Sequence, residues 1–415
     1  MRLTWRRNQP HYAWVVLAAV MVVLTIGSGI RFSFGVFIDP LVEEYGWSRG
    51  AVSFAYTIQF LVGIPFVLIA GWLAERIGCR RVVIIGSVLF TIGMLLTSTV
   101  TQIWQFQLYY GVLVNGLGSS VFVTLLPVLI SRWFYRKLGL AMGLMWTSVS
   151  FGPTLFPPLM RWAIEDIGWS NTFIVFGLIS GGLMMLSGFF LKGSPQEENL
   201  VPYGGLPPRL QEGNSGSSVA DLGLGQTMAL TSFWALVAVH TFGCMGHSIL
   251  LAHMVSMATF AGISSIPAAG VLSLASAISI ISRFVISLVA EARGARFTLI
   301  IVVLLQTLPT LFLLGAEELW VFYSFAVLFG LGYGGEMVGF PIFNRQYYGM
   351  NAPLHTIYAY QMAGALLGMA VGGWPGGVLF DWTGNYNWSI LASVVAGSLG
   401  VIAALLLPPH RRQSG

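Results

Sequence analysis

The sequence predicts an all-α membrane protein: twelve transmembrane helices in two pseudo-symmetric six-helix bundles. Three observations predict it. Of 415 residues, 56% are hydrophobic and 8% charged, with a mean hydropathy of +0.79, whereas a water-soluble domain carries about 25% charged residues. Apolar runs of roughly 20 residues, the length that crosses about 30 Å of hydrocarbon, recur from one end of the chain to the other. Finally, features of the first half return in the second at a nearly constant spacing.

Taken in order, the spans are 12–38, 51–74, 82–100, 105–131, 138–163, 171–192, 228–257, 266–290, 297–315, 319–343, 354–380 and 388–408. The start resembles a signal peptide, with Arg6 and Arg7 ahead of an apolar run from Ala13. That run continues past Val36 without a convincing cleavage site, so it is read as a retained first span. The longest connection, Gly193 to Gln226, shifts to Gly, Pro, Ser, Asn and Glu, a composition that cannot pack a core and reads as a linker. The predicted organisation is an N-terminal bundle (1–192), a cytoplasmic linker (193–227) and a C-terminal bundle with a short tail (228–415). Gly46-Trp-Ser48 returns as Gly262-Ile-Ser264, and Glu75…Gly78-Cys-Arg80 returns as Glu291…Gly294-Ala-Arg296, both at a step of 216 residues (46 to 262, 78 to 294). Gly116-Leu-Gly118 and Pro127 are echoed by Gly330-Leu-Gly332 and Pro341.

The net charge of +5 is topological rather than a nucleic-acid footprint. Basic residues gather in alternate connections: Arg2, Arg6 and Arg7, then Arg76, Arg80 and Arg81, then Arg132, Arg136 and Lys137, then Lys192, Arg209, Arg293, Arg296, Arg345, Arg411 and Arg412. The intervening connections hold only Arg49 and Arg161. The positive-inside rule therefore places both termini in the cytoplasm. Cys79 and Cys244 are too few and too far apart for a disulfide framework or a metal site. The sequence implies no cofactor, no nucleic acid and no obligate protein partner; its surroundings are the lipid bilayer.

The loop after the second span, Gly71-Trp-Leu73-Ala-Glu75-Arg76-Ile-Gly78-Cys-Arg80-Arg81, resembles the G-x-L-x-D-R-x-G-R-K signature of the major facilitator superfamily. Glu75 stands for the usual Asp and Cys79 for a usual Arg. Arg31-Phe-Ser-Phe-Gly35-Val-Phe, Gly46-Trp-Ser-Arg49, Arg132-Trp-Phe134 through Gly139-Leu-Ala-Met-Gly143, and Asp381-Trp-Thr-Gly384 resemble the bacterial monocarboxylate porter and oxalate/formate antiporter group. The resemblance implies the major facilitator fold, a place in the bacterial cytoplasmic membrane, and secondary transport by alternating access. It also makes Gly71, Glu75, Arg76, Gly78, Arg80, Glu291 and Arg296 a cytoplasmic gate; the alternative is topogenic charge alone.

No Walker loop, serine elbow or metal-spaced His/Cys pair is present, which argues against an enzyme or an ATP-driven pump and for a carrier driven by gradients. The strongest candidate is Arg283, a lone arginine near the middle of the apolar run from Ala268 to Arg296. A charge at the bilayer centre costs about 2.5–3.5 kcal/mol on insertion scales and faces a bundle interior or a water-filled path. Its guanidinium fork matches a carboxylate, and the resemblance places it where monocarboxylate porters hold the substrate carboxylate. The alternative is a structural pairing. Arg31 either shares the anion or snorkels to the interface. The repeat pairs Arg31 with His247, either a proton-coupling group or a structural imidazole. Glu336, the one acid well inside a span, either loads and unloads a proton in exchange with Arg283 or forms a static ion pair. Tyr110, Asn115, Tyr333 and Gln361 are candidate hydrogen-bonding groups for substrate, as are Tyr109 and Tyr358.

Two departures from the group matter. An acid found one turn before the arginine in some monocarboxylate porters is Ser279 here, and an eleventh-span lysine of oxalate exchangers falls at Gln361, which favours a monoanion over a dianion. The expected function is proton-coupled transport of small monocarboxylates such as lactate and pyruvate. The alternatives are a carboxylate exchanger and a drug or metabolite effluxer.

Overall fold

The computed structural model describes residues 11–134, 136–195, 200–204, 223–348 and 354–408. Four helices open the chain: α1 (Tyr12–Tyr45), α2 (Arg49–Ile77), α3 (Cys79–Thr97) and α4 (Ile103–Trp133). The helical stretch Leu138–Phe190 breaks at Gly168, where φ is 80° and ψ 161°, into α5 (138–167) and α6 (169–190). After a single turn at Leu224–Met228 come α7 (Thr231–Phe260), α8 (Ser265–Arg293), α9 (Ala295–Leu313), α10 (Leu319–Tyr348), α11 (Leu354–Thr383) and α12 (Asn387–Leu405). Ten stretches of the described chain are long and apolar enough to cross a membrane; one of them holds both α5 and α6, and α10 completes twelve. Helices are the expected solution, because in hydrocarbon every backbone N–H and C=O must find its partner within the segment.

Glycine ends these helices at matching places in the two halves. Gly46 (φ 65°), Gly78 (90°) and Gly168 (80°) correspond to Gly262 (86°), Gly294 (76°) and Gly384 (71°), each pair 216 residues apart. A side chain in this left-handed region costs about 1–2 kcal/mol, so the repeat visible in the sequence is a repeat of turns that require glycine. The third pair, Gly168 and Gly384, extends the two pairs read from the sequence.

Two helices are irregular where they carry polar residues. Ser33–Phe37 of α1 tightens into a 3₁₀ segment two residues after Arg31, and Gln107–Ser119 of α4 is wound as a π-helix, a rare form that is frequent at functional sites.

The chain packs as two compact units. The first comprises the chain up to Arg31, Val62–Pro153 and the stretch from Ala163 into the linker; the second comprises Phe32–Leu61, Thr154–Trp162 and all that follows the linker. Within the first, Ser119 of α4 donates to the Gly27 carbonyl of α1 at 3.2 Å, and Thr25 donates to the Ser148 carbonyl of α5 at 3.2 Å. Within the second, Gly364, Gly368, Gly372 and Gly376 form a stripe along α11, and a Cβ on any of them would collide with Thr241, Met245, Ser248 or His253 of α7. Gly330 and Gly334 of α10 likewise lie against the Ala275 and Ser279 carbonyls of α8, and the Ser282 hydroxyl donates to the Leu331 carbonyl. Lipid tails are as apolar as leucine, so close backbone approach through small residues replaces the hydrophobic effect as the source of helix association.

Polar contacts tie the parts of α1, α2 and α5 in the second unit to its other helices. The Arg49 guanidinium pairs with the Asp39 carboxylate and lies 4.7 Å from the centre of the Phe380 ring. Thr259 donates to Asp39 at 2.6 Å. Arg161 reaches the Ser265 hydroxyl at 2.8 Å and the Val36 carbonyl at 3.3 Å. Both basic residues of the sparsely charged connections are thus engaged within the second unit.

Candidate functional site

In the second unit, α8 carries Arg283 into the interior, where 8% of the residue is exposed. The side chain is held there by the α8–α10 approach: Gly334 lets the Ser279 carbonyl, one turn before Arg283, sit against α10. The Ser279 hydroxyl turns back to the Ser276 carbonyl at 2.7 Å. Tyr333 of α10 and Tyr358 of α11 are the electrostatic neighbours of the guanidinium, so two candidates from the sequence do converge on Arg283.

Glu336 is fully buried on α10 and belongs to a polar cluster with α7 and α9. Its Oε2 accepts a hydrogen bond from Gln306 Nε2 at 2.9 Å and lies 3.4 Å from His247 Nδ1. His247 Nδ1 in turn donates to Gln306 Oε1 at 3.0 Å. Glu336 and His247 were both sequence candidates and are brought together; Gln306, which links them, was not. The electrostatic neighbours of Glu336 include His247 and His240, and those of Arg283 include the two tyrosines. Tyr333 joins the two groups, with its ring edge-on to His247 at 5.1 Å between centroids and stacked on Phe329 at 5.8 Å.

Cys244, His247 and Glu336 place their donor atoms within 4.8 Å of one another, and among the described residues this is the group that could hold a metal ion. Its geometry suits a hydrogen-bonded cluster better, because the Gln306 amide already engages His247 Nδ1 and Glu336 Oε2.

Gln361 is buried on α11 and forms a reciprocal amide pair with Asn344 of α10: each Nδ2 or Nε2 donates to the other's carbonyl oxygen at 2.9 Å. In this structure the Gln361 amide is therefore engaged within the protein.

In the first unit, the sequence candidates Arg31, Tyr110 and Asn115 form one network. Arg31 donates from Nη2 to the Asn115 carbonyl at 2.8 Å and to the Ser120 hydroxyl at 3.3 Å. Ser120 donates to that same carbonyl at 3.0 Å, and Asn115 Nδ2 donates to the Tyr110 carbonyl at 3.3 Å. Both are bonds from a side chain to a backbone carbonyl five residues earlier, within or at the end of the π-helical stretch. The Tyr110 hydroxyl donates to the Ile30 carbonyl at 2.9 Å, next to Arg31.

Of the gate residues, Gly78 forms the turn between α2 and α3 at φ 90°. Arg76 lies over the Trp72 ring at 4.1 Å and Arg80 over Phe189 at 5.4 Å. A Cβ on Gly71 would meet nothing within 4 Å, and Arg296 is an electrostatic neighbour of Tyr347. The side chains of Glu75 and Glu291 lie outside the described residues.

Gln306, His240, Ser120 and Asn344 were missed in the sequence. Each is a polar residue inside an apolar run, and that signal alone would have found them; their partners lie on other helices or one uneven turn away.

A polytopic helical bundle that places charged and titratable groups in its interior is the architecture of a membrane transporter. The chain belongs to the Major Facilitator Superfamily, whose sequence model matches residues 17–352. It is 24% identical over 416 residues to the uncharacterized MFS-type transporter YcxA of Bacillus subtilis, an alignment covering 96% of each chain. It is 28% identical over 420 residues to monocarboxylate transporter 13 of Rattus norvegicus, covering 96% of this chain and 89% of that one. The crystal structure of a D-xylose-proton symporter shares its fold, with a TM-score of 0.74 at 15% identity over 96% of this chain and 99% of the other. The protein is thus a multi-pass membrane transporter of small solutes and not an enzyme.

Proposed function

We propose that this transporter moves small monocarboxylates, of the lactate and pyruvate class, together with a proton and by alternating access of the halves 1–192 and 228–415. The observation that carries the reading is Arg283: a guanidinium buried on a membrane helix beside Tyr333 and Tyr358 offers a carboxylate a bidentate charge partner flanked by hydroxyl groups. The cluster of Glu336, His247 and Gln306 supplies groups able to take up and release the accompanying proton. Arg31, with Tyr110 and Asn115, lines the route for the anion in the first unit. The relationship to monocarboxylate transporter 13 supports the substrate class. The absence of a lysine at Gln361 favours a monoanion over a dianion. The spread of basic residues supports cytoplasmic termini, in this reading at a bacterial inner membrane, with the Gly71–Arg81 and Glu291–Arg296 loops as the cytoplasmic gate.

The test is uptake of labelled lactate and pyruvate into proteoliposomes with and without an inward proton gradient, for wild type and Arg283→Ala. Gradient-driven uptake that the substitution abolishes is the expected result. Uptake confined to preloaded vesicles would make the protein an exchanger, and no movement of either acid would overturn the substrate class.

A further inference from the structure

Glu336 sits between two histidines of α7, and the proposed mechanism uses only one of them. Residues 240, 243, 244 and 247 share one face of that helix, since positions three, four and seven apart align. Gly243 is the notch: a Cβ there would occupy the position of Glu336 Oε1, so glycine is what lets the carboxylate lie against the α7 backbone. Oε2 is engaged on one side by His247 and Gln306. Oε1 has no hydrogen-bond partner among the described residues. One turn away, His240 is fully buried with its ring stacked on Phe340 at 4.1 Å between centroids, and neither of its ring nitrogens has a hydrogen-bond partner among the described residues. A buried polar group left unpaired costs about 1–3 kcal/mol, and here a carboxylate oxygen and an imidazole bear that cost within electrostatic reach of each other.

An ionised carboxylate inside a membrane helix needs one compensating positive charge or one proton of its own. The titratable and charged groups around Glu336 are His240, Cys244 and His247 from α7 and Tyr333 from its own helix, with Arg283 of α8 reaching the cluster through Tyr333. The thiol and the phenol are neutral in their ordinary protonated forms, and Arg283 is not among the groups that act directly on Glu336. That leaves one proton to be placed among one carboxylate and two imidazoles.

We infer that His240 is a second proton-holding group of this cluster, so that Glu336 passes one proton between His247 and His240 across the Gly243 notch. Seven residues of helix separate the two imidazoles, about 10 Å along α7, so the transfer displaces the proton along the helix axis. The step breaks one N–H and forms one O–H, then breaks that O–H and forms an N–H on the second imidazole, leaving the cluster's total charge unchanged. Because Oε1 and the His240 nitrogens are not hydrogen-bonded to each other in this structure, the second transfer requires a side-chain rotation that brings them into contact. The inference rests on the reading of Glu336 and His247 as the proton-coupling site.

The test needs no substrate. The full-length protein in lipid nanodiscs is titrated by infrared difference spectroscopy, and the carboxyl C=O band that disappears in Glu336→Gln is assigned to Glu336. Expected for His240→Gln is a displacement of that band's titration midpoint by about one pH unit, the size of effect a nearby charge partner exerts, with His253→Gln leaving it in place. Gly243→Ala, which keeps both histidines and fills the notch, displaces it as well and serves if His240→Gln does not fold. A Glu336 band that His247→Gln moves but His240→Gln and Gly243→Ala leave unchanged overturns the inference and leaves the proton-coupling reading standing. No Glu336 band titrating between about pH 4 and pH 10 removes that reading and the inference with it.

Discussion

Asp381, at the end of α11, caps the start of α2: its carboxylate oxygens accept hydrogen bonds from the backbone amides of Arg49 at 2.9 Å and Gly50 at 2.7 Å. The helix's first turn contains no acid of its own. Ser48 serves the next two amides, its hydroxyl accepting from Ala51 at 3.1 Å and its carbonyl from Val52 at 3.1 Å. Amides that an isolated helix leaves unpaired are satisfied here, two of them by a residue more than 300 positions away in sequence, and the negative carboxylate meets the positive end of the helix dipole. Asp381→Ala is expected to destabilise the protein by about 1–2 kcal/mol, with Asp381→Asn losing less because its amide oxygen still accepts. Thermal unfolding in detergent, comparing the two variants with wild type, measures it; equal midpoints for all three would show that the cap carries no stability.

The pair of Asp39 and Arg49 sits beside this cap, with their side chains 11% and 15% exposed. Asp39→Ala and Arg49→Ala are each expected to destabilise, and the double variant to lose less than the sum of the two by about 1–3 kcal/mol, the range for directly coupled neighbours. A double-mutant cycle on thermal or denaturant unfolding reads this directly, and simple additivity would show the two charges to be independent.

Gly334 and Gly71 respond differently to the same substitution. A methyl group on Gly334 would overlap the Ser279 carbonyl, whereas one on Gly71 meets nothing within 4 Å. Gly334→Ala is expected to cost about 1–3 kcal/mol as overpacking and to weaken transport by displacing α8 and its arginine. Gly71→Ala is expected to stay within about 0.5 kcal/mol of wild type. Unfolding midpoints of the two variants side by side are the check.

Gln361 and Asn344 satisfy each other, so removing one strands the other. Gln361→Ala is expected to destabilise by about 1–3 kcal/mol, while Gln361→Leu combined with Asn344→Leu recovers most of that loss. If Gln361→Ala instead leaves the unfolding midpoint unchanged and lowers lactate uptake, the amide contacts substrate during the transport cycle.

Arg283→Lys keeps the charge and loses the fork. Uptake of labelled lactate is expected to fall about 100-fold, equivalent to some 2.7 kcal/mol, with the protein still folded by circular dichroism. Near-wild-type uptake by the lysine variant would mean that a point charge is sufficient and that bidentate geometry plays no part.

Much of the site was legible in the sequence for one reason: charge and titratable groups are conspicuous in hydrocarbon. Arg283, Glu336, Arg31 and His247 stand out because each interrupts an apolar run. Their partners were harder to see. Gln306 is 30 residues from Glu336 and 59 from His247, and Asn344 is 17 from Gln361, so these pairings depend on which helices are neighbours. The π-helical winding of α4 left no sequence signal, because it is a local accommodation whose benefit, an Asn115 carbonyl aimed at Arg31, appears only once α1 packs on α4.

The twelve spans, the uneven spread of basic residues between their connections, and the duplicated turns can be read from single stretches, because hydrophobic length, charge and positive-φ glycines are local properties that each stretch expresses on its own. Only the tertiary structure decided that Glu336 lies against Gly243 between two histidines, that Gln361 is matched by Asn344, and that Asp381 completes a helix begun at Arg49. Inside a bilayer a polar group with no neighbour carries nearly its full desolvation cost, so the identity of its partner follows from close helix packing, which glycine stripes on α10 and α11 permit and which no single segment encodes.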